Sequence, residues 1–251
     1  MKYIRIFLLI FLTNILFAQR PATDQIEAAD GPITIQPVFH GALVLTWNNK
    51  TIYIDPYGGT KAYVGLAAPD LVLITDIHQD HLNTETLKSI VTTNVTFIVP
   101  KAVADKLPPD IKSKIIVLDN GVTKLEKGIS ISSVPMYNLP ETSDSRHPRG
   151  RGNGYVLDIG GKMIYISGDT EDIPEMRTLK NIDVAFVCMN LPYTMDIDQA
   201  ASAVLDFKPK IVYPYHYRGH DGLSDIEKFR KIVNTANENI EVRLRNWYTE
   251  Y

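Results

Sequence analysis

Apolar and polar positions alternate with two different periods along this chain, and the switches between them mark out short elements. After a polar stretch at 19–32 with Pro21, Gly31 and Pro32, three runs (ITIQPVF, ALVLTW and TIYIDPY) have the alternation and β-branched content of strands. His40-Gly41 and Asn48-Asn49-Lys50 supply turn chemistry between them, which predicts an up-down-up meander. In such a meander the His40 turn and Asp55, at the end of the third strand, fall at the same sheet edge. The continuous apolar run Leu71, Val72, Leu73, Ile74 predicts a buried strand. NTETLKSIV then predicts a helix capped by Asn83 or Thr84, TFIVP a strand, KAVADKLPPDI a short helix stopped by Pro108-Pro109, and IIVLD a strand before the Asn120-Gly121 turn.

The second half has the same grammar. GISISSVPMYN reads as a strand, GYVLDIGGKMIYIS as a hairpin, VAFVCMN as a strand and MDIDQAASAVLDF as a helix. IVYPYHYRG is a strand ending at His216, and SDIEKFRKIVNTANENIEVRLRNWY gives a helix and a last strand. Mixed helix and strand patterns predict a layered α/β domain. Two halves of like content, 33–119 and 128–248, predict a pseudo-symmetric order of helix, sheet, sheet, helix. With no repeat and no long linker, residues 33–251 form one domain behind a leader at 19–32.

Residues 1–18 belong to a different class. Lys2 and Arg5 precede an almost wholly apolar run at 6–17, and Ala18-Gln19 offers a small-residue cleavage point, the order of a secretory signal peptide. The run is short for a membrane span, so the expectation is an exported chain, periplasmic or secreted, with no stable membrane anchor after cleavage. Cleavage would lower the 26 basic residues to 24 against 29 acidic ones. The intact chain already carries a formal charge of −3, which leaves no electrostatic footprint for nucleic acid. A single cysteine, Cys188, excludes an intrachain disulfide and a thiolate-rich zinc site.

The chemistry gathers where apolar strands stop. Behind Leu71–Ile74 come Asp76, His78, Asp80 and His81, four potential ligands in six residues. A solvated polar loop is the bland alternative, but this density of imidazole and carboxylate after a buried strand favours a metal site. Asp169 follows a second apolar strand in Ser167-Gly168-Asp169-Thr170, and His216 follows a third. Together they make a site for one or two divalent ions, with Asp169 suited to bridge. The irregular stretch 138–153 carries Arg146, Arg149, Arg151 and His147; it is either a solvated surface loop or a loop that holds an anionic substrate through guanidinium groups. Tyr193, Thr194 and Met195 line either a pocket or the core.

These motifs resemble the metallo-β-lactamase-fold superfamily over nearly all of residues 33–248. The family's Thr-His-x-His-x-Asp-His motif reads Thr75-Asp76-Ile77-His78-Gln79-Asp80-His81 here. The stretches FHGALVL…IDPY, YISGDTEDIPEM and YPYHY look most like the lactonase-like branch that includes ascorbate-6-phosphate lactonase. The resemblance implies a four-layered αββα sandwich and a metal-dependent hydrolase. Carried over position by position, it implies one metal site at Asp80, His81 and His216 with Asp169 bridging, and a second that includes His78. That second site departs from the family pattern: Asp76 replaces its first histidine, and Asn138 lies near the usual intermediate histidine. His147 or His40 is then a candidate replacement ligand, and Asp55 a candidate hydrogen-bonding support for a ligand histidine.

The function expected is hydrolysis of a small ester, lactone or phosphoester by a metal-activated water, with Asp80 or Asp169 orienting that water and Arg146, Arg149, Arg151 and Tyr193 facing an anionic small molecule. Zinc is the first choice of metal, manganese and iron the alternatives. Two other readings stand beside it: a phosphodiesterase of the same fold, and a non-catalytic metal- or ligand-binding module with a degraded second site.

Overall fold

The structure is a computed structural model that describes residues 20–92, 94–109, 111 and 114–249. The signal peptide expected at 1–18 lies outside the described residues. Two seven-stranded sheets face each other. The first runs in chain order through β1 (Asp24–Ile26), β2 (Ile33–Phe39), β3 (Ala42–Trp47), β4 (Lys50–Ile54), β5 (Leu71–Leu73), β6 (Thr96–Val99) and β7 (Lys114–Val117). The second contains β8 (Thr123–Glu126), β9 (Ile129–Met136), β10 (Gly152–Ile159), β11 (Lys162–Ile166), β12 (Val184–Cys188) and β13 (Ile211–Tyr215). A small hairpin, β14 (Arg218–Gly219) with β15 (Gly222–Leu223), follows, and β16 (Glu241–Val242) closes the second sheet beside β13.

Each sheet begins as an antiparallel meander and ends in parallel strands: β4 to β7 in the first, β11 to β13 and β16 in the second. Parallel strands deliver all their carboxyl ends to one edge, where open α/β sheets place their sites. The connections carry helices α1 (Thr84–Ile90), α2 (Lys101–Ala104), α3 (Pro174–Arg177), α4 (Ile197–Phe207) and α5 (Ile226–Ala236).

The period-2 alternation sorts side chains between two cores. Leu43 and Leu45 of β3 join Ile52 and Ile54 of β4 in the core between the sheets, while Val44 and Tyr53 face the other way, toward Leu87 of α1 and Val103 of α2. On the second sheet Tyr165 of β11 meets Phe207 of α4 edge-on, with ring centroids 5.9 Å apart. The order is therefore helix, sheet, sheet, helix, the αββα arrangement expected. A fully buried aliphatic side chain such as Leu45 contributes roughly 1.5–3 kcal/mol, and truncating it to alanine in so closed a core costs about 2–5 kcal/mol. Asn83 caps α1 through Thr86 N. Asp196 and Gln199 form a reciprocal capping box at α4, with Gln199 N 2.7 Å from Asp196 Oδ1.

Several elements differ from the sequence reading, among them α3 and the β14–β15 hairpin, which that reading does not contain. The polar stretch expected to be only a leader contributes β1, which pairs with β2 and is tied down by Asp24, whose carboxylate accepts from Tyr213 Oη at 2.9 Å and Arg245 Nη2 at 2.5 Å. Those partners lie some two hundred residues away and leave no local trace. β8 was not anticipated, because three of its four residues are exposed and show no apolar alternation. The last strand shrinks to two residues.

Candidate metal centre

The carboxyl ends of β4, β5, β11, β12 and β13 converge on one edge and bring the predicted ligands together. Asp55 follows β4 and His216 follows β13, and both adopt left-handed backbone, as does His40 in the β2–β3 turn. Non-glycine residues in that region carry a cost of order 1–3 kcal/mol and cluster where a side chain must be aimed. Gly41 lets the His40 turn close over the site, since a Cβ there would stand 3.0 Å from His216 Cδ2.

His81 is wholly buried, and its protonation is readable from its partners. Its Nδ1 is 2.8 Å from Asp55 Oδ2, while Thr75 donates to the same carboxylate through N at 2.7 Å and Oγ1 at 2.6 Å. An acceptor-only carboxylate puts the proton on Nδ1 and leaves the Nε2 lone pair facing inward. That Nε2 lies 3.4 Å from Asp169 Oδ2 and 3.3 Å from His216 Nε2. Asp80 Oδ2 completes this group, 3.3 Å from His216 Nε2 and 3.1 Å from His40 Nε2. Burial and the adjacent His216 push the His40 imidazole down to about 4. His40 is therefore neutral at pH 7, donates from Nε2 to Asp80, and accepts at Nδ1 from Tyr248 Oη at 3.0 Å.

A second group stands on the other side of Asp169. Asp76 Oδ2 is 2.7 Å from His78 Nδ1 and 4.0 Å from His147 Nε2. Asn138 stands behind His147 rather than among the ligands. Its Oδ1 accepts from His147 N at 2.8 Å and lies 3.1 Å from His147 Nδ1. This fixes the His147 proton on Nδ1 and turns the Nε2 lone pair toward Asp169 Oδ2 at 3.3 Å. His147, not Asn138, is thus the residue placed with Asp76 and His78.

Two imidazole lone pairs aimed at one carboxylate repel unless a positive charge lies between them. His147 Nε2 and Asp169 Oδ1 are buried and make no hydrogen bond among the described residues, a state that calls for an ion. Burial opposes charge on both His81 and Asp169. Even so, Asp169, Asp55 and Asp80 hold His81 well above its ordinary value, so that a cation competes with a proton for its Nε2, and His216 and His81 hold Asp169 well below its own. Three sets of ligand atoms each fall within 4.8 Å: His40, Asp80 and His216; Asp76, His78 and His147; and His81, Asp169 and His216. Imidazole with carboxylate and no thiolate suits zinc, iron or manganese. The donor set fits one or two divalent cations.

The remaining predicted residues separate. A pocket of about 220 Å³ opens over the ligands and is walled by Arg146, Asn190, Tyr193 and Arg218. Arg146 stacks over the Tyr193 ring at 4.5 Å. Arg149 does not reach the pocket; it lies over Tyr137 and pairs with Glu175 at 2.5 Å and Glu141 at 3.3 Å. Arg151 is not among the pocket walls either, because both its Nε and Nη2 bind Asp76. Thr194 bonds to Asn190, Met195 belongs to the core, and the exposed His220 pairs with Asp221. Sequence reasoning missed Asn190, Arg218 and Tyr248. Asn190 closes the apolar run of β12, so the strand-end logic that found Asp169 would also have found it; Arg218 stands two residues past His216.

Comparison with known proteins gives the family. The family model of the beta-lactamase superfamily domain matches residues 34–216. A UPF0173 metal-dependent hydrolase from Thermococcus onnurineus is 32% identical over 76% of this chain and 88% of its own; one from Pyrococcus abyssi is 29% identical over 74% and 85%. A crystallised chain from Parabacteroides distasonis superposes with a TM-score of 0.80 at 38% identity, covering 91% of this chain and all of that one. Igni18, a metallo hydrolase from Ignicoccus hospitalis, gives 0.70 at 25% identity over 84% and 94%. Family model, relatives and fold converge: this chain belongs to the metallo-β-lactamase-fold superfamily of metal-dependent hydrolases.

Proposed function

We propose that this chain is an exported hydrolase of a small anionic ester, lactone or phosphoester. The observation that carries the reading is the pair of guanidinium groups, Arg146 and Arg218, on the walls of a small pocket above the ligand cluster. Each is braced by an aromatic face, Arg146 by Tyr193 and Arg218 by Tyr248 at 4.1 Å, and neither pairs with a carboxylate among the described residues. Braced, unpaired arginines suit carboxylate or phosphate recognition. A pocket of about 220 Å³ is below the range for drug-sized ligands and fits a compact substrate. The lactone-like likeness of the sequence motifs and the apolar start at 1–18 support the substrate class and the export.

A bound divalent cation, with zinc the first choice, would lower the pKa of water and polarise the oxygen under attack. Asp80, His81, His216 and Asp169 would hold one ion, and Asp76, His78 and His147 with Asp169 a second. Burial opposes the charge on Asp80, but the neighbouring His81, His216 and His40 hold its carboxyl well below the ordinary range, so it stands where it can accept a hydrogen bond from the attacking water and aim it. Asn190 has its Oδ1 taken by Thr194, so its amide is directed as a donor to an oxygen that gains charge. Arg146 and Arg218 would anchor the anionic end and hold the scissile bond over the cluster.

The test is a panel of a carboxylated γ-lactone, p-nitrophenyl phosphate and bis(p-nitrophenyl) phosphate, run before and after chelation. Chelator-sensitive turnover of the lactone or the monoester is the expected result. Turnover confined to the diester would replace this reading with a phosphodiesterase, for which the same two arginines would serve.

A further inference from the structure

Asp169 faces both halves of the ligand cluster, so each has one further carboxylate, Asp80 or Asp76, and one residue makes the two halves differ in charge. Asp76 is fully buried and accepts from Arg151 at both oxygens: Nε to Oδ1 at 3.0 Å and Nη2 to Oδ2 at 2.9 Å. This is fork-to-fork geometry, the tightest form of carboxylate pairing. It is built into the backbone. Gly152 lets the start of β10 press against the motif loop, where a Cβ would meet Thr75 O at 2.8 Å, and Asn153 N donates to Thr75 O at 2.9 Å. That contact delivers Arg151 alongside Asp76. Asp80 and Asp169, by contrast, have only imidazoles for side-chain partners among the described residues, and both remain anionic toward the group they share with His81 and His216.

We propose that Arg151 makes the two half-sites unequal. The Asp76–Arg151 pair acts as one electrically neutral unit, as a histidine would, so that a cation there gains no net attraction from the Asp76 charge. The Asp80/His81/Asp169/His216 group fills first and tightly; the Asp76/His78/His147 group fills second and weakly. Arg151 therefore governs metal stoichiometry, and it is a charge-setting residue rather than a substrate anchor. This rests on the metal dependence of the fold and not on the substrate reading.

Zinc titration of the chelator-stripped full chain tests it by calorimetry, with no substrate present. The wild type should show two steps of unequal affinity, the tighter one absent in His81→Ala. Arg151→Gln should tighten the weaker step by about 10–100-fold and leave the tighter step in place, which also reports that the variant is folded. Arg151→Lys keeps the charge and should keep the weak step. The opposite sign is the usual result of deleting a residue that merely orients a ligand, where affinity drops by about 10–100-fold. A weaker second step in Arg151→Gln, or two equal steps in the wild type, would overturn the proposal. Equal steps would overturn it even if the variant did not fold. Absence of any zinc uptake would remove the metal centre itself along with it.

Discussion

The Asp55 carboxylate takes the Nδ1 proton of His81 at 2.8 Å while its two oxygens also accept from the backbone and hydroxyl of Thr75. Asp55, Thr75 and His81 are all fully buried. The consequence is a fixed tautomer and a fixed ring plane for a metal-facing histidine. Asp55→Asn replaces an acceptor-only group by one that must also present an N–H to these donors. Zinc affinity should fall by about 10–100-fold, and thermal unfolding should show a loss of about 1–3 kcal/mol from the unmatched donor. Unchanged zinc retention in a competing-chelator assay would show that Asp55 does not set the His81 ring.

Gly41 makes a second, steric prediction. Its added Cβ would stand 3.0 Å from His216 Cδ2 and 3.8 Å from His81 Cε1. Gly41→Ala should therefore displace the His216 ring and weaken zinc binding, at a folding cost of about 1–3 kcal/mol. Far-ultraviolet circular dichroism should be unchanged, because β2 and β3 keep their pairing. Wild-type zinc affinity in the alanine variant would mean that the turn relaxes without moving the ring.

Arg146→Met and Arg218→Met test the anion anchors separately. A hydrogen bond to a charged group is worth about 1.5–3 kcal/mol, so each change should lower kcat/KM on an anionic substrate by about 10–100-fold. The loss should appear in KM and spare a neutral ester of the same size. An equal loss on the neutral ester would move these arginines from substrate recognition to structure.

Which parts of this site were legible in the sequence depended on distance along the chain. His78, Asp80, His81, Asp169 and His216 each follow an apolar strand within a few residues, so the strand announces the ligand. The choice between Asn138 and His147 was not legible, because both occupy one irregular loop. It is decided by hydrogen bonds in which Asn138 turns its oxygen back on His147 and its amide toward Tyr193 O at 2.8 Å. Arg151 read as one of three equivalent loop cations, and only the fold reveals that its partner is Asp76. Tyr248 reaches His40 across more than two hundred residues. The sheets themselves were legible wherever apolar alternation was strong, and β8, almost wholly exposed, was not.

Acid sensitivity should include a contribution remote from the metal centre. Asp183 accepts from Met163 N at 2.9 Å and Lys210 Nζ at 2.8 Å. Burial opposes its charge, but the Lys210 and Met163 bonds together with the charges of Lys210 and Lys162 outweigh it and hold the carboxyl below its ordinary value. A carboxyl depressed on folding adds stability above the unfolded-state value and loses it as pH falls through the depressed one. Asp183→Asn should thus be less stable than wild type at pH 7, with the gap closing as the pH is lowered below about 4. A gap independent of pH would assign the loss to packing instead of charge.

The ligands are divided between the sheets. Asp76, His78, Asp80 and His81 come from loops of the first, and His147, Asp169 and His216 from loops of the second. Neither half of the chain owns a complete coordination set. A bound cation would therefore act as a clasp, held only once both halves have docked. A cut at the Asn120-Gly121 turn would yield two fragments unable to retain zinc singly, and zinc retention on mixing them would report their reassociation.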